Sequence, residues 1–168
     1  KNISLYLGHY GNWEWVSSIP LHLENNNIKA GQIYHELDNR LVDRLLLHNR
    51  SRMGAICVEM KHTLRWVNDK INNNVTTITG YIADQSGRKT DYYYNFLRHY
   101  VPVLVGAEKI TKRYGMEAYY LDITRTRRGY YKASFIRMAD NPQSLPDYRL
   151  TEIYYNYLEK TICDHPEF

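Results

Sequence analysis

His9 and Glu14 are the residues whose types and spacing indicate chemistry, because they lie five positions apart in the segment GHYGNWEW. A hydroxyl is a weak nucleophile near neutral pH, and a histidine, whose ordinary pKa is about 6.5, can take its proton during attack. A carboxylate on the second ring nitrogen fixes the tautomer and stabilises the imidazolium that forms. The pair therefore predicts a general base, His9, oriented by Glu14.

The residues around this pair favour a turn that joins a strand to a helix. Gly8 and Gly11 permit a tight turn, and Asn12 is a good helix N-cap. If His9 lies in the turn and Glu14 in the first turns of the helix, the two side chains can meet. The same spacing also fits a helix whose first-turn glutamate complements the macrodipole while the histidine is incidental.

The hydrophobic pattern places these residues in a chain of alternating strands and helices. It predicts strands at residues 3–7, 32–35, 55–58, 75–83, 116–124 and 130–138, and helices at residues 13–24, 39–52, 63–71, 106–114 and 150–163. Pro20 is expected to kink or split the first helix. Residues 25–31 read as a turn, and residues 84–100 have no clean period and predict a long functional loop. The alternation predicts an α/β domain.

Composition and charge limit the classes of protein to which the chain can belong. The chain has 168 residues, 43% of them hydrophobic and 24% charged, which is typical of a globular domain. Cys57 and Cys163 are the only cysteines, and the histidines have no ligand spacing, so neither a disulfide framework nor a metal site is predicted. No run of about 18 apolar residues is present. The net charge of +4 suits an anionic partner without choosing one.

The segment GHYGNWEW resembles the signature of the lysophospholipid acyltransferase-like superfamily, and most closely its bacterial lipid A biosynthesis branch. The similarity continues in order along nearly the whole chain. It is carried by Asn39 and the helix bearing Arg50, Arg52 and Gly54, by Ala83-Asp84-Gln85 at a strand end, by Phe96-Leu97, and by Gly106-Ala107-Glu108. His35 stands where the family often has an arginine, and Arg98 stands where a glycine usually follows the paired aromatic.

The resemblance implies an O-acyltransferase with a mixed, mostly parallel sheet flanked by helices, of the glycerol-phosphate acyltransferase-like fold. It would move a fatty acyl chain from an acyl carrier protein or CoA thioester to a hydroxyl of a glycolipid such as a lipid A precursor. His9 would be the base and Glu14 its orienter, and the expected substrate-binding residues are Asn39, Arg50, Asp84 and Gln85. No metal, other cofactor or covalent enzyme intermediate is expected.

The resemblance also implies one catalytic domain over residues 1–168, without the family's N-terminal membrane helix and C-terminal segment. The protein would contact the cytoplasmic face of the bacterial inner membrane peripherally and bind no nucleic acid. Asn39 also reads as an N-cap, Arg50 as a solvated residue at a helix C-terminus, and Asp84 as a loop cap.

Two other functions remain open at this point. RTRRGYY, residues 125–131, combines basic charge with aromatic rings and suits single-stranded nucleic acid, although as a hairpin loop it is more typical of a solvated turn. An anionic lipid surface is a third partner for this segment. A lipid hydrolase that uses the same His9–Glu14 pair on a water molecule is the other alternative function.

Overall fold

The computed structural model describes all residues except 25–26, 86–89 and 91. Six strands form one mixed sheet in the order β3-β2-β4-β1-β7-β8, and β5 pairs with β6 in a separate hairpin. The strands are β1 Ile3–Leu7, β2 Ile28–Tyr34, β3 Ile56–Glu59, β4 Thr76–Ile82, β5 Tyr93–Phe96, β6 His99–Pro102, β7 Glu117–Arg127 and β8 Tyr130–Arg137. The α-helices are α1 Arg40–Ser51, α2 Thr63–Asn72, α3 Gly106–Arg113 and α4 Arg149–Asp164. The predicted α/β fold with a mostly parallel sheet is confirmed.

The chain divides into two compact units, the first of which contains residues 1–3 and 14–81. Here β2 pairs in parallel with both β3 and β4, and α1 and α2 provide the connections that parallel strands require. The buried apolar side chains of this unit include Ile33, Val58 and Val67. Asn39 begins α1, because its Oδ1 accepts hydrogen bonds from the N–H groups of Leu41 and Val42 at 3.0 and 3.3 Å.

The second unit contains residues 4–13 and 82–168. Its helix α4 buries one face made of Leu150, Tyr154, Tyr155 and Leu158, all at most 2% exposed. These positions follow the i, i+4 and i+8 spacing of a helix that covers a core. The antiparallel pair β7–β8 belongs to this unit and ends in the two-residue turn Arg128-Gly129, where Gly129 has a φ of +80°. Glycine adopts this left-handed conformation without the strain that a Cβ atom would add.

Three local predictions are wrong. Residues Trp13–His22 form a 3₁₀ helix rather than an α-helix, and Pro20 lies inside it, where it has no N–H to donate. Residues 28–31 belong to β2 rather than to a turn. The segment predicted as a long loop contains the hairpin β5–β6, while its residues 86–89 and 91 lie outside the described part of the chain.

Candidate active site

His9 and Asp84 are brought together because each follows the end of a strand. His9 lies two residues after β1, and Asp84 lies two residues after β4. The N–H of Ala83 donates to the carbonyl of Leu7 at 3.0 Å, so the chain leaves both strands side by side. The residues that follow, His9 and Asp84, are therefore neighbours, although 75 positions separate them in the sequence.

The Asp84 carboxylate accepts two hydrogen bonds from His9. Its Oδ1 lies 2.7 Å from Nδ1 of the imidazole, and its Oδ2 lies 2.8 Å from the backbone N of the same residue. Because an ionised carboxylate only accepts, Nδ1 carries the hydrogen and Nε2 is the basic nitrogen. The edge of the imidazole also meets the Trp13 ring at a centroid distance of 5.0 Å. The ring is thus held in one tautomer and one orientation.

His9 is accessible enough to meet a substrate, since its side chain is 44% exposed and that of Asp84 is 20% exposed. A histidine held by a carboxylate at one nitrogen can accept a proton at the other, with the imidazolium stabilised by the negative charge. The geometry is compatible with the general base predicted at His9, and that role stays a prediction.

Two buried tyrosines of α4 hold the strand ends that carry this pair. The Tyr154 hydroxyl donates to the Leu7 carbonyl at 3.0 Å, and the Tyr155 hydroxyl donates to the Ala83 carbonyl at 3.2 Å. Burial raises the pKa of both tyrosines, so they remain neutral donors. This role was not predicted from the sequence. The only signal was the abundance of tyrosine in the last helix, which does not specify a partner.

Gly8 permits the backbone to pass close to α4 immediately before His9. A Cβ atom on Gly8 would lie 2.6 Å from Cδ1 of Leu158 and 3.4 Å from Oδ2 of Asp84. A side chain here would push against Leu158 of the helix and would touch the carboxylate that holds the imidazole. The glycine predicted to serve the turn is therefore needed for close packing.

Glu14 forms an ion pair with Arg50 in the first unit. Nε of Arg50 donates to Oε2 of Glu14 at 3.0 Å, and Nη2 donates to Oε1 at 2.5 Å. This hydrogen bonding raises the pKa of Arg50, whose side chain is only 13% exposed. Two of its nitrogen atoms therefore already meet a carboxylate, in the bidentate arrangement that a phosphate would otherwise use.

The other predicted site residues are placed as follows. Asn39 is the N-cap of α1, Arg52 is its C-cap residue, and Gln85 is exposed directly after Asp84. None of these placements tests a contact with substrate, so the binding roles of Asn39, Arg50, Asp84 and Gln85 stay predictions. The same holds for the assignment of Glu14 as orienter of His9.

Within the described residues, no three His, Cys, Asp or Glu side chains cluster as a metal site would require. No α-helix in this part of the chain is both long and apolar enough to span a bilayer. Cys57 is half-buried and Cys163 is exposed, and neither is in a disulfide.

Comparison with known proteins gives one result. The family model for bacterial lipid A biosynthesis acyltransferase matches residues 1–168, which is the whole chain. No individually curated protein matches the sequence.

Proposed function

Because the chain belongs to the bacterial lipid A biosynthesis acyltransferase family, we propose that it transfers a fatty acyl chain from an acyl thioester to a hydroxyl of a glycolipid such as a lipid A precursor. Membership makes the protein an acyltransferase with an acyl donor and a lipid acceptor. The choice of glycolipid, and of acyl carrier protein or CoA as the carrier of the thioester, belongs to the proposal.

His9 acts as the general base in this reaction. Nε2 takes the proton of the acceptor hydroxyl while the oxygen attacks the thioester carbonyl. The new C–O bond forms, the C–S bond breaks, and the proton passes from Nε2 to the departing thiolate. Atoms and charge balance without another reactant. The hydrogen bond of 2.7 Å between Nδ1 of His9 and Oδ1 of Asp84 is the observation that carries this proposal.

Asp84 is the carboxylate that orients His9 in this mechanism. This assignment is supported by the hydrogen bonds of Asp84 with both the ring and the backbone N–H of His9. Glu14, for which the sequence predicted that role, accepts two hydrogen bonds from Arg50 and is proposed to act by positioning that arginine. Arg50, Asn39 and Gln85 remain the proposed contacts for the acceptor or donor.

The cellular setting is also part of the proposal. A lipid acceptor favours an enzyme that works at a bilayer, and the proposed location is the cytoplasmic face of the bacterial inner membrane, which the protein would contact peripherally. No cofactor besides the thioester donor is needed by the chemistry proposed. A Tyr-rich nucleic-acid-binding module and a lipid hydrolase are the alternatives that the experiment must separate.

The reaction class is tested by product analysis in membranes that contain the protein. The membranes receive an isotope-labelled acyl thioester and a bacterial lipid extract, and mass spectrometry follows the label. We expect an acylated glycolipid that disappears with His9→Ala and persists with His62→Ala, an exposed histidine paired with Glu59 outside this site. Labelled free fatty acid as the sole His9-dependent product would identify a hydrolase. The same glycolipid from His9→Ala would overturn the mechanism.

The orienting carboxylate is tested by comparing Asp84→Asn with Glu14→Gln. We expect Asp84→Asn to lower kcat by about 10²–10⁴-fold with little change in KM, since a misplaced base affects the transition state. Glu14→Gln should lower kcat less and act mainly through Arg50. A larger loss of kcat in Glu14→Gln than in Asp84→Asn would return the role to Glu14.

A further inference from the structure

The β7–β8 hairpin holds a concentration of positive charge that the proposed chemistry does not use. The hairpin, residues 117–137, contains five basic residues and two acidic ones, Glu117 and Asp122, so it carries +3 of the net charge of +4. All five basic residues lie in its part nearest the turn, residues 123–137, which has no acidic residue. Most of the net positive charge of the protein therefore belongs to this one hairpin.

The register of the two strands places aromatic and basic side chains on the same side. Arg125 pairs with Tyr131, and Leu121 pairs with Phe135. Directly paired residues share a face of the sheet, and residues two apart along a strand also share it. One face of β8 therefore presents Tyr131 and Phe135, with Arg125 beside the first of them. The opposite face presents Tyr130 and Lys132, with Arg127 paired to Tyr130.

These side chains are exposed to an unusual degree for their types. Phe135 is 54% exposed and Tyr131 is 37% exposed, while Arg125, Arg127, Arg128 and Lys132 are all exposed. The guanidinium of Arg127 lies over the Tyr130 ring, 3.8 Å from its centroid. β8 is the terminal strand of the sheet, and none of the strands in the described part of the chain covers its outer edge. A surface with apolar and cationic groups of this kind fits a partner that carries negative charge on its outside and is apolar just below.

We propose that the β7–β8 hairpin docks on the surface of an anionic lipid bilayer, a role that rests on the proposed function because the acceptor there is a lipid. The hairpin docks by its turn and the free edge of β8, so that side chains from both faces reach the bilayer. Arg125, Arg127, Arg128 and Lys132 meet the phosphates, and Tyr131 and Phe135 enter the interfacial layer. Each basic residue near such a surface contributes roughly 1 kcal/mol, and aromatic rings favour the headgroup level. An acidic protein would match the charge but would leave the Phe135 ring unexplained.

Flotation of the protein with lipid vesicles tests this docking independently of catalysis. One vesicle set contains phosphatidylcholine alone, and the other contains phosphatidylglycerol and phosphatidylcholine in about equal parts. We expect binding to the anionic set only, and a decrease of binding as salt shortens the Debye length. Equal binding to both sets, or to neither, would overturn the proposal.

Matched variants locate the surface. Arg125→Gln/Arg127→Gln/Arg128→Gln should lower partitioning on the order of 100-fold. Arg40→Gln/Arg44→Gln/Arg65→Gln removes the same charge from other exposed positions and should lower it far less. Tyr131→Ser/Phe135→Ser should remove the part of the binding that survives high salt. Equal losses in the two arginine variants would show that only net charge matters and would overturn the hairpin as the docking surface.

The remaining outcomes separate the docking from the reaction. Tighter hairpin-dependent binding of a single-stranded oligonucleotide than of anionic vesicles at the same salt would assign the hairpin to nucleic acid instead. Vesicle binding that depends on the hairpin, with no His9-dependent lipid product, would leave the docking standing while the proposed function fails.

Discussion

Glu152 shows how single residues outside the site are held by charge-assisted hydrogen bonds. The Tyr92 hydroxyl donates to its Oε1 at 2.6 Å, and Nη1 of Arg149 donates to its Oε2 at 2.9 Å. The bond from Tyr92, followed by the bond from Arg149, lowers the pKa of Glu152 below the ordinary value for glutamate. The folded protein therefore binds this proton less tightly than the unfolded chain.

This lowered pKa predicts a pH-dependent contribution to stability. The contribution is present above the ordinary glutamate pKa and is lost as the pH falls through the folded value. Glu152→Gln should reduce the free energy of unfolding by roughly 0.5–1 kcal/mol near neutral pH and by less at about pH 3. Urea midpoints of both proteins at the two pH values measure this. A difference in midpoint between the two proteins that does not change with pH would contradict the prediction. Glu24→Gln, at an exposed position, serves as the control.

Residue types and spacing suggested part of the candidate site. His9 was proposed from its chemistry, and Asp84 was proposed as a site residue from the resemblance. The contact between them was not predicted, because it depends on the order of β1 and β4 in the sheet rather than on local sequence. The pairing of Glu14 with Arg50 was missed for the same reason, since 36 positions separate the two residues.

Among the elements, α4 begins without a cap of its own. Its N-cap residue, Tyr148, has a φ of +68° and provides no side-chain hydrogen bond to the helix. Glu108 of α3 performs this function from outside, because its Oε2 accepts from N and Oγ1 of Thr151 at 2.9 and 2.6 Å. Glu108 is 3% exposed, and Nζ of Lys112 lies 3.8 Å from its other oxygen. The helix that bears Tyr154 and Tyr155 is thus anchored by a residue of another helix.

Removal of the hydrogen bonds from Thr151 to Glu108 should destabilise the folded protein. Glu108→Ala should lower the free energy of unfolding by about 2–3 kcal/mol, because it removes a cap and leaves buried donors without a partner. Glu108→Gln keeps an acceptor oxygen and should cost roughly half as much. Urea titration followed by circular dichroism measures both. Equal losses in the two variants would indicate that the charge, rather than the hydrogen bonds, is what matters.

The turn between β5 and β6 carries backbone strain that explains one departure from the family pattern. Leu97 and Arg98 both have positive φ angles, 49° and 65°. A two-residue hairpin turn of this geometry favours glycine, and Arg98 stands where the family usually has one. The arginine therefore occupies a conformation that costs free energy.

Arg98→Gly should raise the free energy of unfolding by about 0.5–1 kcal/mol because it relieves that strain. Arg98→Ala removes the same charge but keeps a Cβ atom in the left-handed region, so it should give no gain. Thermal and urea midpoints of the three proteins test this. A gain in Arg98→Ala as large as that in Arg98→Gly would attribute the effect to charge.

The pattern of hydrophobic residues predicted most elements because helices and strands differ in period. The helix predicted at 39–52 is Arg40–Ser51 with Asn39 as its cap, and the strand predicted at 75–83 is Thr76–Ile82. The β5–β6 hairpin was missed because its turn contains Leu97 and Arg98 instead of the glycine or asparagine that signals a turn. The segment Trp13–His22 was predicted as an α-helix because its residues favour one, while Pro20 and its packing favour 3₁₀ turns.

At the scale of the whole molecule, the aromatic residues are unevenly shared between the two compact units. Fifteen of the 17 tyrosines belong to the unit that contains α4, and Tyr34 and Tyr81 belong to the other. Trp15 and Trp66 belong to the unit that contains α1 and α2. Trp13 belongs to the unit that contains α4, so tryptophan fluorescence follows the other unit alone only in Trp13→Phe.

The prediction of a single domain can be tested with these reporters. If the chain is one cooperative domain, the urea midpoint from tryptophan fluorescence should coincide with that from hydrogen exchange of peptides in α4. Two midpoints that differ beyond error would show that the units unfold independently and would contradict the single-domain prediction. Trp13→Phe serves as the control, since Trp13 belongs to the same unit as α4.

The double contact of Asp84 with His9 has a consequence for motion. The bond to the backbone N–H does not depend on the orientation of the imidazole, so it persists if the ring rotates away about its side-chain bonds. The carboxylate then stays in place. The returning ring can re-form its hydrogen bond to Oδ1 without any rearrangement of the chain. The histidine side chain can in this way leave this hydrogen bond and recover it within the time of a rotamer flip, which for an exposed side chain is picoseconds to nanoseconds.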